Sequence, residues 1–483
     1  MRSLIVRGFA WKAGSQVVLQ ASRVALGIIL ARLLTPHEYG LAGMVIIFSA
    51  LVLIFTDIAF GSALVRRREI ADVDTDTVFW ATVGLGALFT VLGIAVARPL
   101  SSFYGEPAVA PLFAVLSCSF VITALGSAHR TLLTRAMNFR SLELRQIVAT
   151  FLGGITAVTV AYFGAGAWAI IVQQMVIAFV STFMLWLLLP WRPHFKFSWV
   201  SFRELGAFGS NVLGTHVFWY INRNVDTVLI GRFLGSAALG AYTLSYNIML
   251  FPLSRIASPL REVLFPAFSK IQDDRARIGA MWLRVNRAVA AIAMPGMIGL
   301  IIVAPEFVDV VLGNQWRTAT PVIQILAWVG LLQALQQLNA SVLQACDKTH
   351  LLLRFALITL VASVVAFVLG VRWGIVGVAT AYAAVNTVTQ PFYTWLTART
   401  LGVKLSACLK SYAGVAQATA LMAAAVLAAR YGLTRAGVPE PAMLALLVTL
   451  GAATYMAGAR WRAPELLGEF KAIRGPRPDP QAP

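Results

Sequence analysis

Residues 23–40 read RVALGIILARLLTPHEYG, and residues 223–240 read RNVDTVLIGRFLGSAALG. Each is an apolar run opened by an arginine, with a second arginine nine residues on and a glycine at its end. At an offset of 200, without gaps, Gly14 pairs with Gly214, Arg23 with Arg223, Arg32 with Arg232, Leu34 with Leu234 and Gly40 with Gly240. Near the other end of each half, FGAGAW (Phe163 to Trp168) resembles WGIVGV (Trp373 to Val378) at an offset near 210. Apolar helices resemble one another by composition alone. Arginine inside an apolar run is rare, so the paired arginines carry the repeat. A half with an even number of spans keeps its orientation. The repeat is therefore parallel, about an axis along the membrane normal.

The rest of the chain fits that reading. Of 483 residues, 59% are apolar and 12% charged, and the mean hydropathy is +0.77. Soluble domains run about 45–50% apolar and about 25% charged. This excludes an ordinary soluble protein, a disordered chain and a disulfide scaffold. Apolar windows long enough to span a bilayer fall at 12–33, 41–63, 77–97, 109–128, 146–163, 167–189, 206–231, 238–264, 285–304, 321–344, 352–371, 375–398, 411–429 and 441–458. They are continuous runs and not ten-residue alternations, which argues against a β-barrel. The apolar stretch after Arg2, Arg7 and Lys12 is too long for a signal-peptide core and reads as an uncleaved first span.

The expected fold is an all-α, polytopic integral membrane protein with about fourteen transmembrane helices. Two pseudo-symmetric six-helix lobes, 1–190 and 206–400, are joined by an interfacial linker at 191–205. Two extra helices (401–460) and a Pro-rich cytoplasmic tail (461–483) follow. The net charge of +19 is better explained by cytoplasmic loops than by nucleic acid. With the N-terminus inside, 30 of the 39 Lys and Arg residues fall on inner segments. This places both termini in the cytoplasm of a cell whose cytoplasmic membrane the protein crosses.

Cys118, Cys346 and Cys408 are scattered, no HExxH occurs among five histidines, and there is no GxxxxGK[ST]. No metal site, cofactor or ATPase module is expected.

Ionisable groups inside a span default to function. On the first span Lys12, Gln16, Gln20, Arg23 and Gly27 share one helical face. A polar stripe on so apolar a helix faces protein or water. The equivalent stripe on span seven is His216, Tyr220, Arg223 and Thr227, with Asn222 and Asp226 beside it. Span eight offers Asn247 and Arg255, and span two Asp57. Together these suggest a water-filled, mainly basic cavity walled by spans 1, 2, 7 and 8. Arg23, Arg223 and Arg255 would grip an anion such as a diphosphate. Gln20, Tyr220, Asn222 and Asn247 would contact the remainder of the substrate. Asp57 and Asp226 are candidates for ion coupling or simple charge pairing; the alternative for Arg223 and Asp226, at i,i+3, is that they simply neutralise each other. Gln333, Gln336, Gln337 and Asn339 on span ten read as hydrogen-bonding glue between helices.

ARLLTPHEYG after span one and DIAFGSALVRR after span two, with the fourteen spans and paired lobes, resemble a known family. The chain looks like the Wzx-type polysaccharide transporters of the multidrug/oligosaccharidyl-lipid/polysaccharide exporter superfamily, nearest the colanic-acid-exporter-like branch. The resemblance covers about residues 1–460. Its more characteristic element is D-x-x-x-G-x-A-L-V-x-R, here Asp57, Gly61, Ala63, Leu64, Val65 and Arg67. It implies a flippase, not an enzyme, that moves undecaprenyl-diphosphate-linked oligosaccharide repeat units across the inner membrane. The product would be exopolysaccharide, capsule or the O-antigen of lipopolysaccharide. Two lobes would rock around a cationic cavity in which Arg23 and, less securely, Arg255 match functional arginines of related lipid II flippases. Membrane lipid, and the polymerase and chain-length machinery of the same pathway, are the implied partners. The alternative is a cation-coupled multidrug exporter of the same superfamily, against which the two extra spans and the basic span residues argue.

Overall fold

The computed structural model describes the backbone of residues 2–66, 70–252 and 258–464. All regular structure in these residues is helical. The first seven helices are α1 (Arg2–Leu33), α2 (Pro36–Arg66), α3 (Asp72–Tyr104), α4 (Val109–Arg135), α5 (Phe139–Tyr162), α6 (Trp168–Leu188) and α7 (Trp199–Pro252). There follow α8 (Ser258–Lys270), α9 (Arg275–Phe307), α10 (Thr320–Gln336), α11 (Asn339–Ala345), α12 (Thr349–Gly370), α13 (Gly374–Leu401), α14 (Leu405–Arg435) and α15 (Glu440–Arg462).

Among the described residues, eleven helical stretches are long and apolar enough to cross a membrane. One of them, Thr349–Leu401, holds both α12 and α13. With those two taken singly, and with α1 and the first limb of α7 added, the fourteen expected spans each have a helix. Two elements differ from the expectation. Spans seven and eight are one element, α7, broken at Gly235. There φ is +85° and ψ 178°, a conformation that only glycine adopts readily. Span ten is interrupted between α10 and α11.

The chain divides into two compact units, Met1–Thr243 and Leu244–Pro483. The lobes inferred at 1–190 and 206–400 come from sequence symmetry and stand as a proposal beside this division. In the first unit α3 packs on α4, α5 on α6, and α4 on both α2 and α6. In the second, α9 packs on α10, α12 on α13, and α10 on α13, while α14 and α15 pack on each other and on α9. The packing of α3 on α4, α5 on α6 and α4 on α6 thus has counterparts in α9 on α10, α12 on α13 and α10 on α13. Lipid-facing surfaces show as exposed apolar rows, as on α12, where Leu353, Leu357, Val361, Val365 and Val368 lie outward at helical spacing.

The linker is non-helical over residues 189–198 and anchored to the start of α3. Asp76 accepts from the His194 backbone N–H (3.0 Å), Thr77 Oγ1 from that of Ser198 (3.0 Å), and Asp74 from Ser201 Oγ (2.7 Å). Trp80 donates to the His194 carbonyl and stacks on Phe195 with ring centres 4.9 Å apart. These bonds satisfy polar backbone that a segment without regular structure would otherwise leave open.

In the second unit the expected amide glue is in place. Gln333 donates to Tyr382 Oη (2.8 Å) and Asn386 Oδ1 (3.3 Å), joining α10 to α13. Thr394 of α13 donates to Gln336 (2.6 Å), and Trp282 of α9 to Asn339 (3.0 Å).

Candidate transport site

The repeat-related segments meet in the first unit. A Cβ on Gly40 would overlap the Ser236 carbonyl, and one on Gly240 would overlap the Pro36 carbonyl. Each added atom would also lie 3.0 Å from the other glycine's nitrogen. Residues 36 and 40 therefore touch residues 236 and 240 reciprocally, as a two-fold axis between repeats requires. Absence of a side chain at both positions lets the backbones cross, the small-residue packing that membrane helices use.

A polar network sits at this crossing. Ser236 Oγ donates to Glu106 Oε1 (2.6 Å) and lies 2.5 Å from His37 Nδ1. His37 and Glu106 are 4.0 Å apart. Glu38, the other polar group of this turn, accepts from the Thr35 backbone N–H (2.8 Å) and hydroxyl (3.0 Å).

Along α1 and α7 the expected stripes are present in part. Arg23 and Arg223 are both exposed on their helices. Gln20 Oε1 is buried without a hydrogen-bond partner, and Gln16 donates to Glu143 (3.1 Å). The Tyr220 hydroxyl donates to the Ile47 carbonyl of α2 (2.5 Å). It is thus held within the fold, and its ring is what remains for a ligand. Asp226 is 4% exposed. It accepts from Tyr242 Oη (2.8 Å) and from the Thr227 backbone N–H (2.8 Å). Asn247 is exposed, beyond the boundary between the units. Arg255 and the side chains of Asp57 and Asn222 lie outside the described residues.

Two polar features escaped the sequence reading. One is the His37–Ser236–Glu106 network, whose members are 199 and 130 residues apart. The other is the acidic anchor for the linker. Its signal was present: DVDTDT at 72–77 concentrates three of only 20 acids in the chain. Among the described residues no cluster of His, Cys, Asp or Glu could hold a metal ion.

Fold and hydropathy together define a polytopic helical membrane protein. It superposes on the lipid II flippase MurJ in its inward closed conformation with a TM-score of 0.74, covering 94% of this chain and 99% of that one at 15% identity. The chain belongs to the polysaccharide biosynthesis protein family, whose model matches residues 29–321. It is 28% identical over 398 residues to the lipopolysaccharide biosynthesis protein WzxC of Escherichia coli strain K12, covering 81% of each chain. It is also 28% identical over 397 residues to the succinoglycan biosynthesis transport protein ExoT of Rhizobium meliloti strain 1021, covering 82% of this chain and 80% of that one.

Proposed function

We propose that this protein is a flippase that moves undecaprenyl-diphosphate-linked oligosaccharide repeat units across the bacterial cytoplasmic membrane, with both termini in the cytoplasm. The observation that carries the reading is the matched pair Arg23 and Arg223, exposed on helices of a chain that belongs to a polysaccharide biosynthesis family. Exposed guanidinium groups at membrane depth need an anionic or aqueous partner, and arginine binds phosphate oxygens two at a time. Names among the relatives, a succinoglycan transport protein and a lipid II flippase of the same fold, support lipid-linked glycan as cargo.

In this reading Arg23, Arg223 and Arg255 hold the diphosphate. Gln20, Asn222, Asn247 and the Tyr220 ring face the sugars. Alternating access moves the site from one membrane face to the other, and the reciprocal glycine crossing is the closed end of that path. Asp57 and Asp226 are the candidates for coupling to a cation. Membrane potential also contributes, because each charge moved through 100 mV is worth about 2.3 kcal/mol. An anionic diphosphate leaving an inside-negative cell moves downhill. The polymerase and chain-length machinery that consume the exported unit are the partners in the membrane.

The deciding experiment deletes the gene and follows surface polymer together with the extractable lipid-linked pool. Loss of polymer with intact repeat units accumulating on the inner leaflet is the expected result. An unchanged polymer and lipid pool, with no redundant transporter present, removes this reading and favours drug export.

A further inference from the structure

The linker ahead of α7 presents side chains that the first unit leaves uncovered. α3 is 33 residues long, roughly 50 Å at about 1.5 Å per residue, whereas the hydrocarbon core of a bilayer is about 30 Å thick. Its acidic opening, Asp72 to Asp76, precedes the apolar run that begins near residue 77, and Trp80 lies one turn inside that run. The linker is bonded to Asp76, Thr77 and Trp80, so it lies at the boundary between head groups and acyl chains. At that depth Phe195 is 93% exposed and Trp199 68%. Phe197, Trp199 and Phe202 form a cluster with ring centres within 5.8 Å of one another. Tryptophan and other amphipathic rings collect at this level of a membrane. Lys196 and Arg203 are interleaved with the rings and exposed. Among the described residues neither has a hydrogen-bond or ion-pair partner. Arg192, by contrast, is turned back onto the Leu189 and Trp191 carbonyls and the Trp186 ring. The acids underneath, Asp74 and Asp76, are buried and accept from Ser201 and from the His194 backbone. Asp76 also lies 3.6 Å from the His194 ring. These acids hold the linker and leave Lys196 and Arg203 to an outside anion.

We propose that residues 194–203 form a binding surface for anionic phospholipid, in the leaflet at this end of the helices. Phe195 and Trp199 seat among the upper acyl chains, and Lys196 and Arg203 reach to lipid phosphates over their apolar stems. The bonds from α3 already fix the linker, so binding orders little that was free. The surface uses neither Arg23 nor Arg223 and is independent of what is carried. The segment that joins α6 to α7 thereby responds to the charge of the membrane.

The test places an NBD fluorophore on Val200→Cys of the full-length protein, with Cys118, Cys346 and Cys408 replaced by alanine, in lipid nanodiscs. Each variant is first checked for a monodisperse peak. Quenching is compared for phosphatidylglycerol and phosphatidylcholine that carry the same nitroxide high on the acyl chain, at equal mole fraction. The expected result is quenching by both lipids, with a local preference for phosphatidylglycerol of at least about fivefold, the contribution of one cation near an anionic lipid surface. Lys196→Gln with Arg203→Gln should bring the two lipids to parity. Phe195→Ala with Trp199→Ala should lower quenching by both. Absence of quenching by either lipid shows that the linker stands clear of the bilayer and overturns the proposal. Equal quenching by the two lipids, or a preference unchanged in the Lys196 and Arg203 double variant, overturns it as well. So does loss of the preference in millimolar glycerol 3-phosphate at constant ionic strength, which would mark a site for soluble phosphate.

Discussion

The two copies of the repeated hairpin share a backbone and differ in chemistry. In the first copy, positions 26 and 42 are Leu26 and Ala42. Leu26 packs on Gly154 of α5, and Ala42 lies in an apolar cluster with Leu30, Leu34, Ala157 and Ala169. In the second copy, the same positions are Asp226 and Tyr242, which hydrogen-bond to each other across the Gly235 break, with the carboxylate buried. The glycines that let the copies cross, Gly40 and Gly240, are the same in both. The close backbone approach is thus common to both copies, while a buried acid stands in one copy where the other has a leucine. The reciprocal contact builds the structure common to both repeats. The Asp226–Tyr242 pair is the chemical difference between the copies.

The largest effect is expected where the copies touch. Gly40→Leu or Gly240→Leu would drive a side chain into the opposing carbonyl. Forcing bulk into packed interiors costs about 1–3 kcal/mol and more where backbone must move. Loss of the monodisperse peak in detergent, or a lowered Tm with no export, checks it. Gly43→Ala is the matched control. Its new methyl would meet Leu239 and Thr243 at 3.7 Å, an ordinary contact, so stability should change by less than about 1 kcal/mol. If Gly40→Leu is as mild as Gly43→Ala, the crossing is not a close contact.

Next in size is the effect of the paired arginines. Arg23→Ala and Arg223→Ala should each lower export at least about tenfold, the loss of one charge-assisted contact, with expression intact. Polymer yield and the lipid-linked pool measure it. Normal export by either variant removes that residue from the transport path and breaks the functional equivalence of the repeats.

The asymmetry itself can be tested by making the second copy like the first. Asp226→Leu with Tyr242→Ala reinstates the chemistry of Leu26 and Ala42. Tyr242→Phe alone removes the donor to a buried carboxylate and should cost about 1–3 kcal/mol in stability. If the double variant folds and exports, Asp226 serves packing only. If it folds without exporting, the acid belongs to the transport cycle.

The smallest effect is expected at the network over the crossing. His37→Ala leaves Ser236 bonded to Glu106 and should change Tm little, because His37 is half-exposed and exposed pairs contribute about 0–1 kcal/mol. A loss above about 2 kcal/mol would move the closure from the glycines to the polar network.

The paired stretches at 23–40 and 223–240 already declared two related copies, because Arg23 and Arg223 stand where an apolar span tolerates few charges. The helices and most of their limits followed from apolar length, a property of local sequence. The partners of individual polar groups did not. Helical spacing places Arg223 beside Asp226, but the hydrogen bonds of the carboxylate to Thr227 and to Tyr242, sixteen residues on, are not legible from spacing. The break at Gly235, where φ is +85°, brings the latter back. Likewise His37, Ser236 and Glu106 are unremarkable apart, and only the crossing of two glycine backbones gathers them. Composition and apolar run length thus determined that this chain spans a membrane many times, since burial in lipid is decided segment by segment. Which buried acid meets which hydroxyl, and which end of α3 holds the linker, the tertiary structure alone decided, because those contacts join residues that no local rule connects.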